Sequence, residues 1–278
     1  MSRCALPSVS GEIGLEVNGL DLREATPEIL RHMSLLLPRH KVLCVRAQTF
    51  DVDRFHSIVK SMGVPKQHVL SNVCLADNND VMILSNKKEN GEPVGISDAG
   101  RVWHTDMSFD VNPPSYTFLY ATDVPTYGGN TLFVDMERVL RELPLDVSNG
   151  LNSLSGIFSY TLSYNKKLSQ HGSLRKPLSK DQLAQLTDAK HPLVKIHDVT
   201  KSKSLYISQA HILRIDGLPK SESRDLISYL TSESAKNVDY EHRWKPGDLL
   251  MWDNRSVIHR AMPYPMNQLR HIYRMMVQ

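Results

Sequence analysis

Cysteine is scarce: the 278-residue chain has three, Cys4, Cys44 and Cys74. An odd number at wide spacing matches neither a disulfide framework nor a cysteine zinc repeat, so a reduced, cytoplasmic protein is expected. Met1–Gly19 lacks a charged-then-apolar leader, which agrees with that compartment. No apolar run approaches the roughly 18 residues that span a bilayer, so no membrane partner is expected. An excess of one charge is missing too. Lys+Arg 33 against Asp+Glu 30 leaves +3, the basic residues are scattered, and aromatics are 7%. This excludes nucleic acid as the expected partner. Repeats, low-complexity tracts and a Gly-rich strand-to-helix turn are absent, which argues against a nucleotide-binding doubly wound sheet.

What is present is an ordinary globular composition, 41% hydrophobic and 23% charged. A chain this long forms one or two domains and buries about 70–75% of its unfolded surface, so it needs no staple to fold. Helices are predicted over Pro27–Leu37, capped by Thr26, over Asp51–Met62, over Asp135–Leu143 and over Ser221–Thr231. Lys176–Ala189 is polar with an apolar stripe. Short strands are predicted within Gly11–Leu22 and over Lys41–Arg46, Val81–Ser85, Tyr116–Ala121, Asn130–Val134, Pro192–His197, Ser204–Ile207, Leu249–Trp252, Ser256–His259 and Leu269–Val277. Many short strands with peripheral helices point to a mainly β jelly roll with helical additions. Asn86–Arg101, charged and turn-rich, reads as a long surface loop or an active-site lid.

Two segments carry chemistry. In VWHTDMSF, His104 and Asp106 stand two apart, which on extended chain puts them on one side. Far downstream, GDLLMWDNRSVIH and RHIYR supply His259, Arg270 and Arg274. Two imidazoles and one carboxylate are the ligand set of non-haem Fe(II) oxygenases, whose open positions take a chelating co-substrate and O2. In a strand, residues 270, 272 and 274 share one face, and two inward guanidiniums there require anionic partners. Arginine suits bidentate carboxylate capture. Read separately, the same residues fit a satisfied core histidine and two edge-strand arginines. Taken together they also fit a zinc hydrolase, or a jelly-roll binding protein without metal.

These motifs, in this order and spacing, resemble the taurine dioxygenase and TfdA group of Fe(II)/2-oxoglutarate-dependent dioxygenases. The likeness covers most of the chain, with KVLCVRAQTFDVDRF and GGNTLFVDM as further matching segments. It implies a double-stranded β-helix (jelly roll, mainly β with flanking helices, α+β) in a single domain over 1–278, assembled as a homo-oligomer, a dimer or tetramer. It implies Fe(II) on His104, Asp106 and His259, and 2-oxoglutarate held by Arg270 and Thr131. Arg274, and more loosely His68, would face a small anionic organic substrate. Ser71 and Gly100 stand where the taurine enzyme has tyrosine and asparagine, which speaks against taurine itself. Asp106 argues for hydroxylation, since halogenating relatives lack this carboxylate. Desaturation or cyclisation in secondary metabolism is the alternative outcome. Trp252 and Asp253 are expected around His259, Trp103 is expected to be packing, and the other histidines, His211 and His242 among them, are expected to be structural or on the surface.

Overall fold

The computed structural model describes residues 13–68, 73–169, 177–184 and 186–278. Alternation within short strands organises it. One sheet of seven strands runs in the order Leu15–Val17, Val42–Val45, Leu249–Asp253, Tyr116–Asp123, His271–Val277, Asn78–Ser85 and Cys74–Leu75. The first pair is parallel and the others antiparallel. Because successive side chains point to opposite faces, Leu43, Phe118, Met251 and Met275 meet the helices Pro27–His40 and Val52–Lys60 on one side. Leu119, Leu250, Trp252 and Ile272 point the other way, against Phe133 and Val257. With both faces covered, the strands read as near-continuous apolar runs. Each fully buried Leu, Ile or Phe here contributes about 1.5–3 kcal/mol relative to exposure.

Phe133 and Val257 belong to a second, antiparallel sheet of Tyr240–His242, Thr131–Asp135 and Val257–Ala261. The two sheets form the expected jelly roll. A further sheet, Ala189–Pro192, Ser155–Phe158 and Ile212–Ile215, packs with Met136–Glu142 and Lys220–Ala235 in a separate apolar cluster.

Thr26 and the acidic Asp51 cap their helices as expected, accepting from the Ile29 and Arg54 backbone N–H, and Asp135, expected inside its helix, is the cap of the third, accepting from Glu137 N–H. The first helix runs past its expected end, through Pro38 to His40. Proline costs only one hydrogen bond in that last turn, which Lys41, at φ 60°, closes by donating to the Leu37 carbonyl at 2.7 Å. The strand expected over Pro192–His197 divides between two sheets, because Leu193 turns into the core. Leu145–Leu151, Tyr160–Leu168 and Tyr240–His242 are elements beyond those predicted. Within 86–101, Lys88–Glu89 pairs with Glu92–Pro93 around Asn90 and Gly91, both at positive φ, so the expected loop contains a small hairpin. Ser71 lies outside the described residues.

Candidate metal centre and adjoining clefts

The segment after Arg101 meets the Val257–Ala261 strand at one bridge. His104 N–H donates to the His259 carbonyl at 3.0 Å, and His259 N–H donates to that of His104 at 2.8 Å. Residues paired this way project side by side, and the two imidazole centroids lie 4.1 Å apart. Two residues on, Asp106 Oδ1 lies 3.7 Å from His104 Nε2 and 3.9 Å from His259 Nε2. One acceptor atom from each residue therefore converges on a common point.

The surroundings fix how these atoms point. His104 Nδ1 lies 2.8 Å from the Val102 carbonyl and donates to it, which leaves the lone pair on Nε2. Burial pushes His259 well below its ordinary value, with His104 adding to the effect, so it is a neutral donor. Burial alone would raise Asp106. The Arg274 guanidinium, then His259 and His104, and a hydrogen bond from Thr117 overcome this and hold its carboxyl below the usual range. Arg274 Nη2 sits 2.6 Å from Oδ1.

Thr117 Oγ1 donates to Asp106 Oδ2 at 2.6 Å and accepts from Asn254 Nδ2 at 2.9 Å, while Trp252 Nε1 donates to Asn254 Oδ1 at 3.0 Å. This relay from the large sheet leaves Oδ1 to face the imidazoles. Thr117→Val is expected to weaken ferrous-ion binding about 10–100-fold, as loss of a ligand's orienting partner does. A metal titration measures it, with the melting curve reporting the fold separately.

Two clefts adjoin this point and share Ala99, Gly100, His104, Asp106 and Arg274. The first holds Thr131 and Arg270. Arg270 is 7% exposed, lies over the Tyr264 and Trp244 rings at 5.6 and 6.0 Å, and has no ion-pair partner among the described residues. Its Nε is buried without an acceptor. Burial pushes it down to about 10. Thr131 Oγ1 accepts from Trp244 Nε1 at 3.1 Å, so its own proton is available to an anion in the cleft. A carboxylate is the group this cleft wants.

The second cleft is walled by Phe109, Tyr160 and Tyr164, with His68, Ser163, His211 and Arg274 among its polar groups. Arg274 rests against the sulfurs of Met82 and Met276 at 3.7 and 3.0 Å. His68 stands edge-on to Tyr160, with ring centroids 5.7 Å apart. Ala99 and Gly100, from the segment before His104, line both clefts, and Ile96 lines the second. Gly100, at φ +73°, gives its carbonyl to Ala261 N–H, and a Cβ there would lie 3.7 Å from His104 Nε2. The absence of a side chain keeps the space over the ligand nitrogen open.

The structure thus brings together every residue singled out for the site: His68, His104, Asp106, Thr131, His259, Arg270 and Arg274. It corrects two expectations. Asp253 is engaged elsewhere, pairing with His197 Nε2 at 2.9 Å and with Arg255 at 2.7 Å, while Trp252 does lie against His259, the rings tilted with centroids 4.6 Å apart. His211 is not merely structural or superficial. It lines the second cleft, with Nδ1 2.9 Å from Ser108 Oγ. Trp103 is packing, buried under the Arg260 guanidinium. Thr117 and Asn254 were not anticipated; Asn254 lies inside the WDNRS block, where a polar residue in an apolar strand end was the available signal.

The donor set suits a divalent ion with oxygen and nitrogen preference: two neutral imidazoles, one carboxylate, and a cleft with a waiting cation beside them. Comparison with known proteins agrees. The profile of the family described as "Taurine catabolism dioxygenase TauD, TfdA family" matches residues 6–276. The chain is 30% identical over 273 residues to the alpha-ketoglutarate-dependent 2,4-dichlorophenoxyacetate dioxygenase of Cupriavidus pinatubonensis, covering 93% of this chain and 92% of the other. It is 29% identical to the alpha-ketoglutarate-dependent sulfonate dioxygenase of Saccharomyces cerevisiae, covering 91% of this chain and 61% of that longer protein. It is 30% identical to pentalenolactone F synthase of Streptomyces arenae, covering 82% and 79%. Among solved structures, AAD-2 in complex with Mn(II) and N-oxalylglycine superposes with a TM-score of 0.81 at 26% identity, covering 98% and 97%.

Proposed function

The chain belongs to the TauD/TfdA family of 2-oxoglutarate-dependent dioxygenases, and from that premise we propose that His104, Asp106 and His259 hold a ferrous ion and Arg270 and Thr131 hold 2-oxoglutarate. Arg274 and His68 then receive a small anionic organic substrate, within a single domain over 1–278. The observation that carries this reading is Arg270: a buried guanidinium without a carboxylate partner, in a cleft that opens on the three converging donors. When bound, iron supplies oxidation of an unactivated C–H bond by O2, coupled to conversion of 2-oxoglutarate into succinate and CO2.

The side chains do the rest. His104 and His259 offer neutral nitrogen, and Asp106 supplies the balancing charge in the orientation set by Thr117. Arg270 pairs with the far carboxylate of the co-substrate, and Thr131 donates to the same group. Residues 86–101 form the lid, with Ile96, Ala99 and Gly100 shielding the reacting centre from water. The aromatic wall of Phe109, Tyr160 and Tyr164 favours an anion with a flat apolar body. Hydroxylation, with cleavage where the new hydroxyl adjoins a heteroatom, is the outcome proposed. The likeness to pentalenolactone F synthase supports desaturation or another oxidation in secondary metabolism as a second reading.

Anaerobic addition of Fe(II) and then 2-oxoglutarate is expected to produce a weak visible absorption, absent in His104→Ala. If none forms in the wild-type chain, the reading fails. A panel of aryloxy acids, sulfonates, amino acids and phosphonates, followed by succinate release, identifies the substrate. Arg274→Ala is expected to raise the KM for that substrate at least about 10-fold, the cost of losing a charge-assisted pair. Uncoupled 2-oxoglutarate turnover persists, and loss of 2-oxoglutarate binding instead would reverse the two arginines.

No helix among the described residues is long and apolar enough to cross a membrane. A cytoplasmic setting is proposed on the scarcity and wide spacing of cysteine in the sequence. Assembly as a dimer or tetramer, proposed on the family resemblance, is read by sedimentation.

A further inference from the structure

Behind the 2-oxoglutarate cleft, three strands bring a second set of donors together. Cys44 lies in Val42–Val45, His242 ends Tyr240–His242, and Asp248 precedes Leu249–Asp253. All three are fully buried, and one donor atom from each lies within 4.8 Å of the others. Cysteine spacing in the sequence excludes a cysteine repeat, but it is silent on a mixed set assembled by β pairing.

The polar contacts are incomplete in one direction. Asp248 Oδ2 is occupied: Arg46 Nη1 lies at 2.6 Å and the Lys245 N–H donates to it at 2.8 Å. Asp248 Oδ1 has no partner. His242 Nε2 lies 3.1 Å from Oδ2, a pairing between the ring and the carboxylate. On the other side of the ring, Tyr240 Oη lies 3.3 Å from His242 Nδ1 and 3.4 Å from a Glu16 carboxylate oxygen. Asp248 Oδ1, buried beside an imidazole and a thiol with no donor of its own, carries a desolvation cost that a cation joining the three groups relieves.

We infer that Cys44, His242 and Asp248 bind a borderline-soft divalent cation of the zinc class, separate from the iron centre. Sulfur, imidazole and carboxylate together select Zn(II) over Mg(II) or Ca(II). Bond lengths of about 2.0–2.3 Å imply donor separations of about 3.3–3.8 Å, so the cluster contracts by about an ångström on binding. A water fills the fourth tetrahedral position. Binding replaces the thiol proton: the Cys44 S–H bond breaks, a sulfur–metal bond forms, and one proton leaves to solvent. Charge then balances, with the thiolate, Asp248 and Glu16 offset by the dication and Arg46. The occupied site braces the 2-oxoglutarate cleft, since the His242 ring stands edge-on to Trp244 at 4.4 Å and Trp244 donates to Thr131.

Cobalt separates this site from the iron centre, which contains no sulfur. Titration of the metal-free chain with Co(II) under reducing, anaerobic conditions is expected to give a near-ultraviolet thiolate-to-cobalt band that saturates once both centres are filled, within two equivalents. The band is expected to vanish in Cys44→Ser and His242→Gln. It persists in His104→Ala, which removes a ligand of the other centre, and in a Cys4→Ser/Cys74→Ser double variant. No thiolate band in the wild-type chain overturns the inference, whatever the variants do. So does a band that survives Cys44→Ser or disappears with Cys4 and Cys74. Failure of the dioxygenase reading leaves the band in place, so the two outcomes are distinguishable.

Discussion

Arg270→Ala is expected to raise the 2-oxoglutarate concentration for half-maximal turnover by about 30-fold or more. Removing one partner of a buried charge pair costs about 2–5 kcal/mol, much of it from the group left behind. Here that group is the far carboxylate of the co-substrate, held in a cleft whose other donor is the neutral Thr131 hydroxyl. The unbound variant has the opposite balance. Arg270 carries a buried guanidinium with an unpartnered Nε, so its removal relieves a desolvation cost and the melting temperature holds or rises. Isothermal titration with 2-oxoglutarate and a melting curve test both halves. Unchanged affinity would remove Arg270 from the co-substrate site.

Asp106→Ala is expected to abolish turnover, by at least about 10³-fold, equivalent to several kcal/mol of lost metal-assisted stabilisation. Two losses coincide. The ferrous site loses its anionic ligand, and Arg274, 2.6 Å from Oδ1 and largely buried, loses its counter-charge. Breaking a buried pair costs about 3–5 kcal/mol of stability. The double variant Asp106→Ala/Arg274→Ala separates these effects: stability returns while metal binding and turnover do not. Recovery of turnover in the double variant would show that Asp106 serves to balance charge and not to bind metal.

Much of the site is legible because its parts are local. His104 and Asp106, two apart, converge as the spacing suggests, although His104 sits in an isolated bridge and Asp106 opens a turn. Arg270, Ile272 and Arg274 keep the inward parity read from RHIYR, although a register shift interrupts the pairing between His271 and Ile272. The same parity, applied to Trp252, turns Asp253 away from His259 toward His197, so that misplacement was avoidable. His211 was not readable. Its place beside the cleft depends on Ser108, about a hundred residues earlier in the chain, and no periodicity encodes that contact. Thr117 looks like one more β-former in an apolar strand until Asn254 and Asp106 are found on either side of its hydroxyl.

The amino-acid order by itself marked out most of the strands and helix starts, because alternation and capping are interactions between near neighbours, while the likeness of its motifs to a family singled out the three candidate ligands and the two arginines. Tertiary structure alone decided which carboxylate oxygen faces the imidazoles, which buried cation lacks a counter-charge, and that Cys44, His242 and Asp248 meet. Those facts depend on pairing between strands remote in sequence, and electrostatics in a dry interior is set by distances of a few ångströms that only the folded chain defines.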